Sequence, residues 1–130
     1  MKLQIKSERR HRQLKSQKTG EEYSLSSVIS DAFLADEIFL SHEIIRPNSR
    51  SSAPHFHMET GEIIYVLTGS LQAIEDQTEV VVNEGDSILF ERQSGRHHFL
   101  KNISTADAHV LVIRKKTEMA DVVFPATSTI

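Results

Sequence analysis

The sequence predicts an all-β protein built as an antiparallel barrel or sandwich. From residue 37 onward, short segments with β-strand character recur at roughly ten-residue intervals. Polar turns separate these segments, as at Thr68-Gly69 and at Gln93-Ser94-Gly95, and residues 37–115 have no convincing helical period. Short strands at this spacing, with turn residues between them, are typical of β-sandwiches and barrels.

The individual strands follow from residue alternation and from the turns that bound them. The first predicted strand, 37–46, alternates loosely and ends at Pro47-Asn48, because proline cannot donate a hydrogen bond within a sheet. Asp76-Gln77 predicts a hairpin, and the turn at 83–86 precedes another strand. The segment 23–34 is predicted to form a helical turn or an irregular cover. In chain order, the predicted strands are 37–46, 53–57, 62–67, 71–75, 78–82, 87–91, 98–102 and 109–114.

The length of 130 residues predicts one domain. We place the barrel core at 37–115, a basic N-terminal extension at 1–20 and a C-terminal tail at 117–130 within a single domain over 1–130. The chain has no cysteine, which excludes disulfides and thiolate ligands. A tightly bound metal would therefore need histidine nitrogen and carboxylate oxygen.

The N-terminal extension is basic, although the formal net charge of the chain is −3. Basic arms can bind nucleic acid, but no aromatic residue interleaves with these charges to stack on bases. We therefore expect a solvated extension and no nucleic-acid partner. The longest apolar run, 63–67, is far below the roughly 20 residues of a membrane span, and the first residues lack a leader pattern. We expect a cytoplasmic protein with no membrane partner.

Two histidines and a carboxylate are predicted to meet inside the barrel. His55 and His57 point to one side of their strand, because side chains alternate between its faces. A four-residue turn then brings in Glu62, which opens the returning strand on the same face as Ile64 and Val66. Burying these three polar side chains in a closed interior costs free energy unless their nitrogen and oxygen atoms find partners. A divalent cation would be such a partner.

A third imidazole would make a tighter site. The candidates downstream are His97, His98 and His109. We favour His98, which shares its face with Leu100 and Asn102, whereas His97 points to the opposite face of the same strand.

These spacings resemble the two motifs of the cupin superfamily, G-x5-H-x-H-x3/4-E-x6-G and G-x5-P-x-G-x2-H-x3-N. His55-Phe56-His57, four residues, Glu62, six residues and Gly69 fit the core of the first motif without a gap. Gly95, two residues, His98, three residues and Asn102 fit the end of the second motif. The similarity covers residues 40–115 and implies a cupin jelly-roll, an antiparallel double-stranded β-helix barrel with short N- and C-terminal extensions.

The sequence departs from the motifs at three positions. Ser49 replaces the first glycine, Gln93 replaces the proline, and Gly85 lies two residues too far upstream. We interpret the last departure as a two-residue insertion in the turn before His98, which alters the pocket rim and leaves the ligands intact.

The resemblance implies one divalent metal ion held by His55, His57, Glu62 and His98. Glu59, in the turn, is a competing carboxylate, but Glu62 fits the motif spacing. The donor set accepts iron, manganese, nickel, copper or zinc, so the sequence does not identify the metal. Four protein ligands on a six-coordinate ion would leave two positions for a small-molecule ligand.

Four further residues are predicted to line the pocket. Ile64, Val66 and Leu100 share the ligands' face and would form apolar walls. Asn102 either bonds the barrel backbone or orients a ligand, and the sequence leaves both roles open.

Two functions agree with these residues, and no catalytic residue is predicted. The first is a metal-dependent enzyme, an oxygenase or isomerase, acting on a small oxygen-rich molecule. The alternative is a non-catalytic binding or sensing module with an anchoring metal. A second acid or base facing inward would favour the enzyme, and the sequence offers no obvious one. The apolar termini, 1–7 and 122–130, also predict a homodimer in which a terminal strand joins or covers the partner's sheet.

Overall fold

A computed structural model describes residues 1–117 and 121–126. The strands are β1 (Arg12–Lys15), β2 (Glu22–Val28), β3 (Ile38–Ile45), β4 (Phe56–His57), β5 (Glu62–Thr68), β6 (Ser70–Glu75), β7 (Thr78–Asn83), β8 (Ser87–Phe90), β9 (His98–Lys101), β10 (Ala108–Lys115) and β11 (Val122–Val123). The helical elements include α1 (Ile29–Ala32) and a 3-10 turn at Lys6–Glu8. Neither helix is long enough to cross a membrane. The all-β prediction is confirmed.

The strands form antiparallel sheets that enclose the interior. The largest sheet has six strands in the order β1-β2-β3-β10-β5-β8. Facing strands form a three-stranded sheet, β7-β6-β9, and a two-stranded sheet, β11-β4. Isolated bridges from Arg50 to Lys101 and from His55 to His98 join the segment around β4 to β9.

The core lies between these sheets and follows the two-residue period of the strands. On β5, Ile64 and Val66 are buried, whereas Ile63 and Tyr65 on the opposite face are exposed. Burial of such apolar side chains is the main source of stability for a domain of this size. The core cluster comprises Ile45, Ile64, Val66, Leu71, Ala73, Val82, Phe90, Leu100, Ala108, Val110 and Val112.

The six-stranded sheet extends further toward the N-terminus than the predicted barrel. β1 and β2 precede residue 37. Of the segment 23–34, predicted as a helical turn or irregular cover, the first half belongs to β2 and residues 29–32 form the short helix α1. Ser24 and Ser26 are buried on β2, so this strand lacks the apolar alternation that marks a half-buried strand.

Gly69, the last residue of the first motif, lies at the corner between β5 and β6. Its φ is +86°, which favours glycine, and an added Cβ would lie 3.0 Å from the Ala108 Cα and the Asp107 backbone oxygen. The corner therefore requires glycine both for its conformation and for close packing.

The described part of the C-terminal tail returns to its own barrel. Val122 pairs with His57 and Val123 pairs with Phe56, so β11 pairs with β4 within one chain. Residues 127–130 of the terminus predicted to mediate assembly lie outside the described residues. The homodimer stays a prediction.

Candidate metal centre

The candidate ligands come from three sheets that meet at one end of the barrel interior. His57 ends β4, Glu62 begins β5 and His98 begins β9. His55 lies just before β4 and exchanges two backbone hydrogen bonds with His98, at 3.2 and 2.8 Å. Strand pairing therefore holds the ligand-bearing segments in register across the sheets.

The side chains converge on the carboxylate of Glu62. His57 Nε2 lies 3.4 Å from Glu62 Oε2, and His98 Nε2 lies 3.4 Å from Glu62 Oε1. His55, Glu62 and His98 each offer a ligand atom within 4.8 Å of the others. Ligands bonded at about 2.1 Å around one ion lie roughly 3.0–3.4 Å apart. The distances from Glu62 to His57 and His98 agree with this range, whereas His57 is not part of the three-residue group.

Contacts on the far side of two rings direct their Nε2 atoms toward this point. His55 Nδ1 lies 2.9 Å from the Ala53 carbonyl oxygen. His57 Nδ1 lies 2.7 Å from Asp121 Oδ1. An Nδ1–H that donates to oxygen leaves the Nε2 lone pair free for a metal. His98 is held differently, because its ring stacks on Phe90 with the centroids 3.9 Å apart.

The electrostatics of the site favour an ionised carboxylate among imidazoles. Burial opposes the charge of Glu62, yet hydrogen bonds from His57 and His98 hold its pKa well below the ordinary value. Burial also opposes the charge of His57, but Glu62 and Asp121 outweigh burial and raise its pKa. Burial lowers the pKa of His55 to about 4, so this ring is neutral at pH 7.

The candidate ligands open onto an interior cavity of about 400 Å³. His55, His57, Glu62 and His98 all contribute to its lining. Much of the remaining wall is apolar and includes Phe39, Ile64, Phe90, Leu100 and Val112. The volume suits a small molecule bound next to the ligand group.

Comparison with known proteins identifies the family. The profile of the family described as "Cupin domain" matches residues 41–114, more than half of the chain. The chain belongs to the cupin family. The resemblance predicted from the motifs is therefore confirmed, and no curated protein matches the chain significantly.

Solved structures share the cupin fold of this chain. The polyketide cyclase RemF from Streptomyces resistomycificus has a TM-score of 0.78 at 24% identity, over 99% of this chain and 88% of that chain. A sugar phosphate isomerase from a cupin superfamily, from Silicibacter pomeroyi, has a TM-score of 0.71 at 23% identity, over 80% and 76%. A predicted oxalate decarboxylase from Thermotoga maritima has a TM-score of 0.71 at 18% identity, over 89% and 100%. At these identities the similarity shows the fold alone.

The cupin barrel brings two of the four predicted pocket residues to the cavity. All three apolar residues belong to the core cluster, but only Ile64 and Leu100 line the cavity, and Val66 does not. Asn102 is fully buried and donates hydrogen bonds of 2.8 Å to the backbone oxygens of Ile45 and Ala106. Its side-chain oxygen accepts hydrogen bonds from Ser104. Of the two roles left open for Asn102, the structure shows the bond to the barrel backbone, and Asn102 is not among the residues that line the cavity.

The competing ligand candidates point elsewhere. Glu59 is exposed in the turn after β4. The His97 ring packs against Phe56, with its Nδ1 3.8 Å from Asp76, on the other side of the strand from His98. His109 hydrogen-bonds to His42. The geometry therefore favours Glu62 and His98 over these alternatives.

The cavity contains an acidic residue, Glu43, that was not predicted from the sequence. Glu43 lies on β3 and lines the cavity, where it accepts hydrogen bonds from Ser24 Oγ at 2.6 Å and Ser41 Oγ at 2.8 Å. Burial raises the pKa of Glu43 despite these two hydrogen bonds. Both faces of β3 carry apolar residues, so alternation alone does not assign Glu43 to the interior. The sequence feature that could have placed Glu43 inside is its spacing of two residues from Ser41 and Ile45, which puts the three side chains on one face of β3.

Arg114 was also missed. It lies opposite Glu62 on β10, and its Nε is 3.4 Å from Glu62 Oε2. Its guanidinium carbon lies 3.8 Å from the centroid of the Phe39 ring. Arg114 thus supports the Glu62 carboxylate and supplies a positive charge at the cavity wall.

Proposed function

We propose that this cupin is a metal-dependent enzyme of the oxygenase or isomerase type that acts on a small oxygen-rich molecule. The observation that carries the proposal is Glu43, a carboxyl group in the same cavity as the candidate metal ligands. A second acid or base facing inward is what distinguishes a catalytic barrel from a purely apolar binding pocket.

The proposed ligand set is His55, His57, Glu62 and His98, and the metal is iron, manganese, nickel, copper or zinc. When bound, such an ion would act as a Lewis acid that polarises an oxygen atom of the substrate. The residues around it would orient the substrate and exclude water. The names of the similar structures support an oxygen-rich substrate, since sugar phosphates and oxalate are both rich in oxygen.

Glu43 is proposed to transfer a proton to or from the bound substrate. A raised pKa brings a carboxyl group closer to the pH at which it can both donate and accept a proton. Ser24 and Ser41 hold its two oxygens, so the group has a defined orientation. Arg114 is proposed to stabilise negative charge on the substrate oxygens.

The alternative is a binding or sensing module with an anchoring metal. The apolar part of the cavity wall, which includes Phe39, Ile64 and Leu100, favours this function. In that case Glu43 would serve only to recognise a polar group of the ligand.

The first experiment measures metal content and turnover. Protein purified without a metal-affinity column should contain about one transition-metal ion per chain by elemental analysis. It should then convert at least one member of a panel of sugar phosphates, oxalate and polyketides, followed by mass spectrometry. Protein free of metal after reconstitution would contradict the metal centre, and binding without conversion would support the alternative.

Glu43→Gln tests the proposed acid–base group. This variant keeps the side-chain volume and should retain the metal, but its turnover should fall by roughly 10²–10⁴-fold because proton transfer is lost. Glu79→Gln, which removes a carboxylate from the exposed strand β7, is the matched control and should leave turnover unchanged. Full turnover in Glu43→Gln would remove Glu43 from the mechanism.

A further inference from the structure

The C-terminal strap, residues 121–126, runs antiparallel to β4, the strand that carries His57 and directly follows His55. Its strand β11 pairs with β4, and the Met58 backbone N–H donates to the Asp121 backbone oxygen at 2.8 Å. The ring of Phe124, further along the strap, lies 6.2 Å from the ring of His55. The strap is therefore part of the wall that surrounds the candidate ligands.

Asp121 is the residue of the strap that reaches a candidate ligand directly. Its side chain is 1% exposed, and its Oδ1 lies 2.7 Å from His57 Nδ1. Oδ1 also accepts a hydrogen bond of 2.9 Å from Thr117 Oγ1, and Oδ2 accepts one of 3.0 Å from the Glu59 N–H. Both carboxylate oxygens are thus occupied on the side of the imidazole that faces away from Glu62.

This arrangement defines the orientation of His57. A hydrogen bond from Nδ1–H to a carboxylate selects one tautomer, and it leaves Nε2 directed at Glu62 Oε2, 3.4 Å away. A carboxylate behind a ligating imidazole also makes the opposite nitrogen a stronger donor to a metal.

We propose that Asp121 is a positioning residue that sets the divalent-cation affinity of the centre by orienting His57. The inference rests on the proposed metal centre, and it makes the C-terminal strap a functional part of that centre. The two side chains are 64 positions apart in the chain, so docking of the strap and completion of the centre are coupled.

The test is a titration of the metal-free full chain with Co²⁺, followed by visible absorbance. Asp121→Asn keeps the side-chain volume but removes the charge, and it should weaken Co²⁺ binding by about 10–100-fold. The matched control is Asp107→Asn, which makes the same chemical change at an exposed position and should leave the affinity unchanged.

A double-mutant cycle separates positioning from a general structural role. His57→Ala leaves His55, Glu62 and His98 as a three-residue group, so Co²⁺ binding remains measurable. In this background, Asp121→Asn should change the affinity by less than about twofold, because the ring through which Asp121 acts is absent. Asp121→Glu, which retains the charge, should bind Co²⁺ more tightly than Asp121→Asn.

Three outcomes would overturn the proposal: unchanged affinity in Asp121→Asn, an equal loss in the His57→Ala background, or loss of the folded state in Asp121→Asn. The last outcome would assign Asp121 to the structure of the turn at Met58 and Glu59. Absence of Co²⁺ binding to the unsubstituted chain is a separate result, since it would contradict the metal centre itself.

Discussion

One cluster of histidines faces the cavity, and a second cluster lies at the outer face of the six-stranded sheet. The inner cluster, His55, His57 and His98, surrounds Glu62 at the cavity. The outer chain consists of His11, His42 and His109. His42 and His109 alternate with inward-facing residues on β3 and β10, so their side chains point away from the cavity. The clusters are equal in number of imidazoles and differ in geometry.

The nitrogen atoms of the outer chain form a line. His11 Nε2 lies 2.7 Å from His42 Nδ1, and His42 Nε2 lies 3.1 Å from His109 Nδ1. His42 uses the nitrogens on both edges of its ring, so His11 and His109 are held apart. In the inner cluster, two Nε2 atoms instead approach the two oxygens of one carboxylate. The comparison teaches that convergence of the donor atoms on one point, and not the number of histidines, makes a site suitable for a metal.

The largest expected effect comes from removing one imidazole from each cluster. His98→Ala should weaken Co²⁺ binding by more than about 100-fold, because loss of a ligand exceeds the 10–100-fold effect typical of residues behind the ligands. His109→Ala should leave the affinity unchanged. Metal content and thermal melting, measured side by side on both variants, check this expectation.

The same two variants can also show that the inner cluster is not the metal site. If His98→Ala keeps full metal occupancy, the third ligand is misassigned, and a loss in His109→Ala would identify the outer chain as the metal site. If His98→Ala unfolds, the ion has a structural role, since apolar burial should otherwise maintain the barrel.

A smaller effect is expected from removing the carboxylate that distinguishes the inner cluster. Glu62→Gln retains the volume but replaces a charged ligand with an amide, and Co²⁺ binding should weaken by about 10–100-fold. Glu59→Gln is the matched control in the adjacent turn and should bind Co²⁺ like the unsubstituted chain. The reverse result would transfer the ligand role from Glu62 to Glu59.

The smallest expected effect concerns acid stability and the outer chain. Burial lowers the pKa of His42 to about 4, with His11, His109, Arg9 and Lys6 adding to the shift. The unfolded chain binds a proton near pH 6.5, so between pH 6.5 and 4 it holds more protons than the folded chain. The stability that neutral His42 contributes is therefore complete above pH 6.5 and is lost as the pH falls toward 4.

His42→Gln should reduce the acid-induced loss of stability of the metal-free protein by roughly 1–3 kcal/mol between pH 7 and pH 4. Urea unfolding at a series of pH values measures this quantity. Equal slopes for His42→Gln and the unsubstituted chain would show that the outer chain does not couple folding to pH.

Local periodicity explains which parts of the centre could be predicted. His55, His57 and Glu62 lie close together in the sequence with the spacing of the first motif, and alternation distinguishes His98 from its neighbour His97, so these side chains could be grouped from the sequence. Asp121 could not be predicted in this way, because its contact with His57 depends on where the tail docks. The strand β2 was missed because its inward positions carry serine, and its serine at position 24 bonds Glu43.

The distribution of the candidate ligands over separate sheets has a consequence for how the barrel opens. Glu62 belongs to the six-stranded sheet, His98 to the three-stranded sheet and His57 to the strand paired with the C-terminal strap. A cation held by all three would act as a cross-link at the seam where these sheets meet. Without the cation, each sheet could separate from the others in its own local fluctuation. With the cation bound, each such fluctuation would have to break a metal–ligand bond, so the three sheets would open as one cooperative unit.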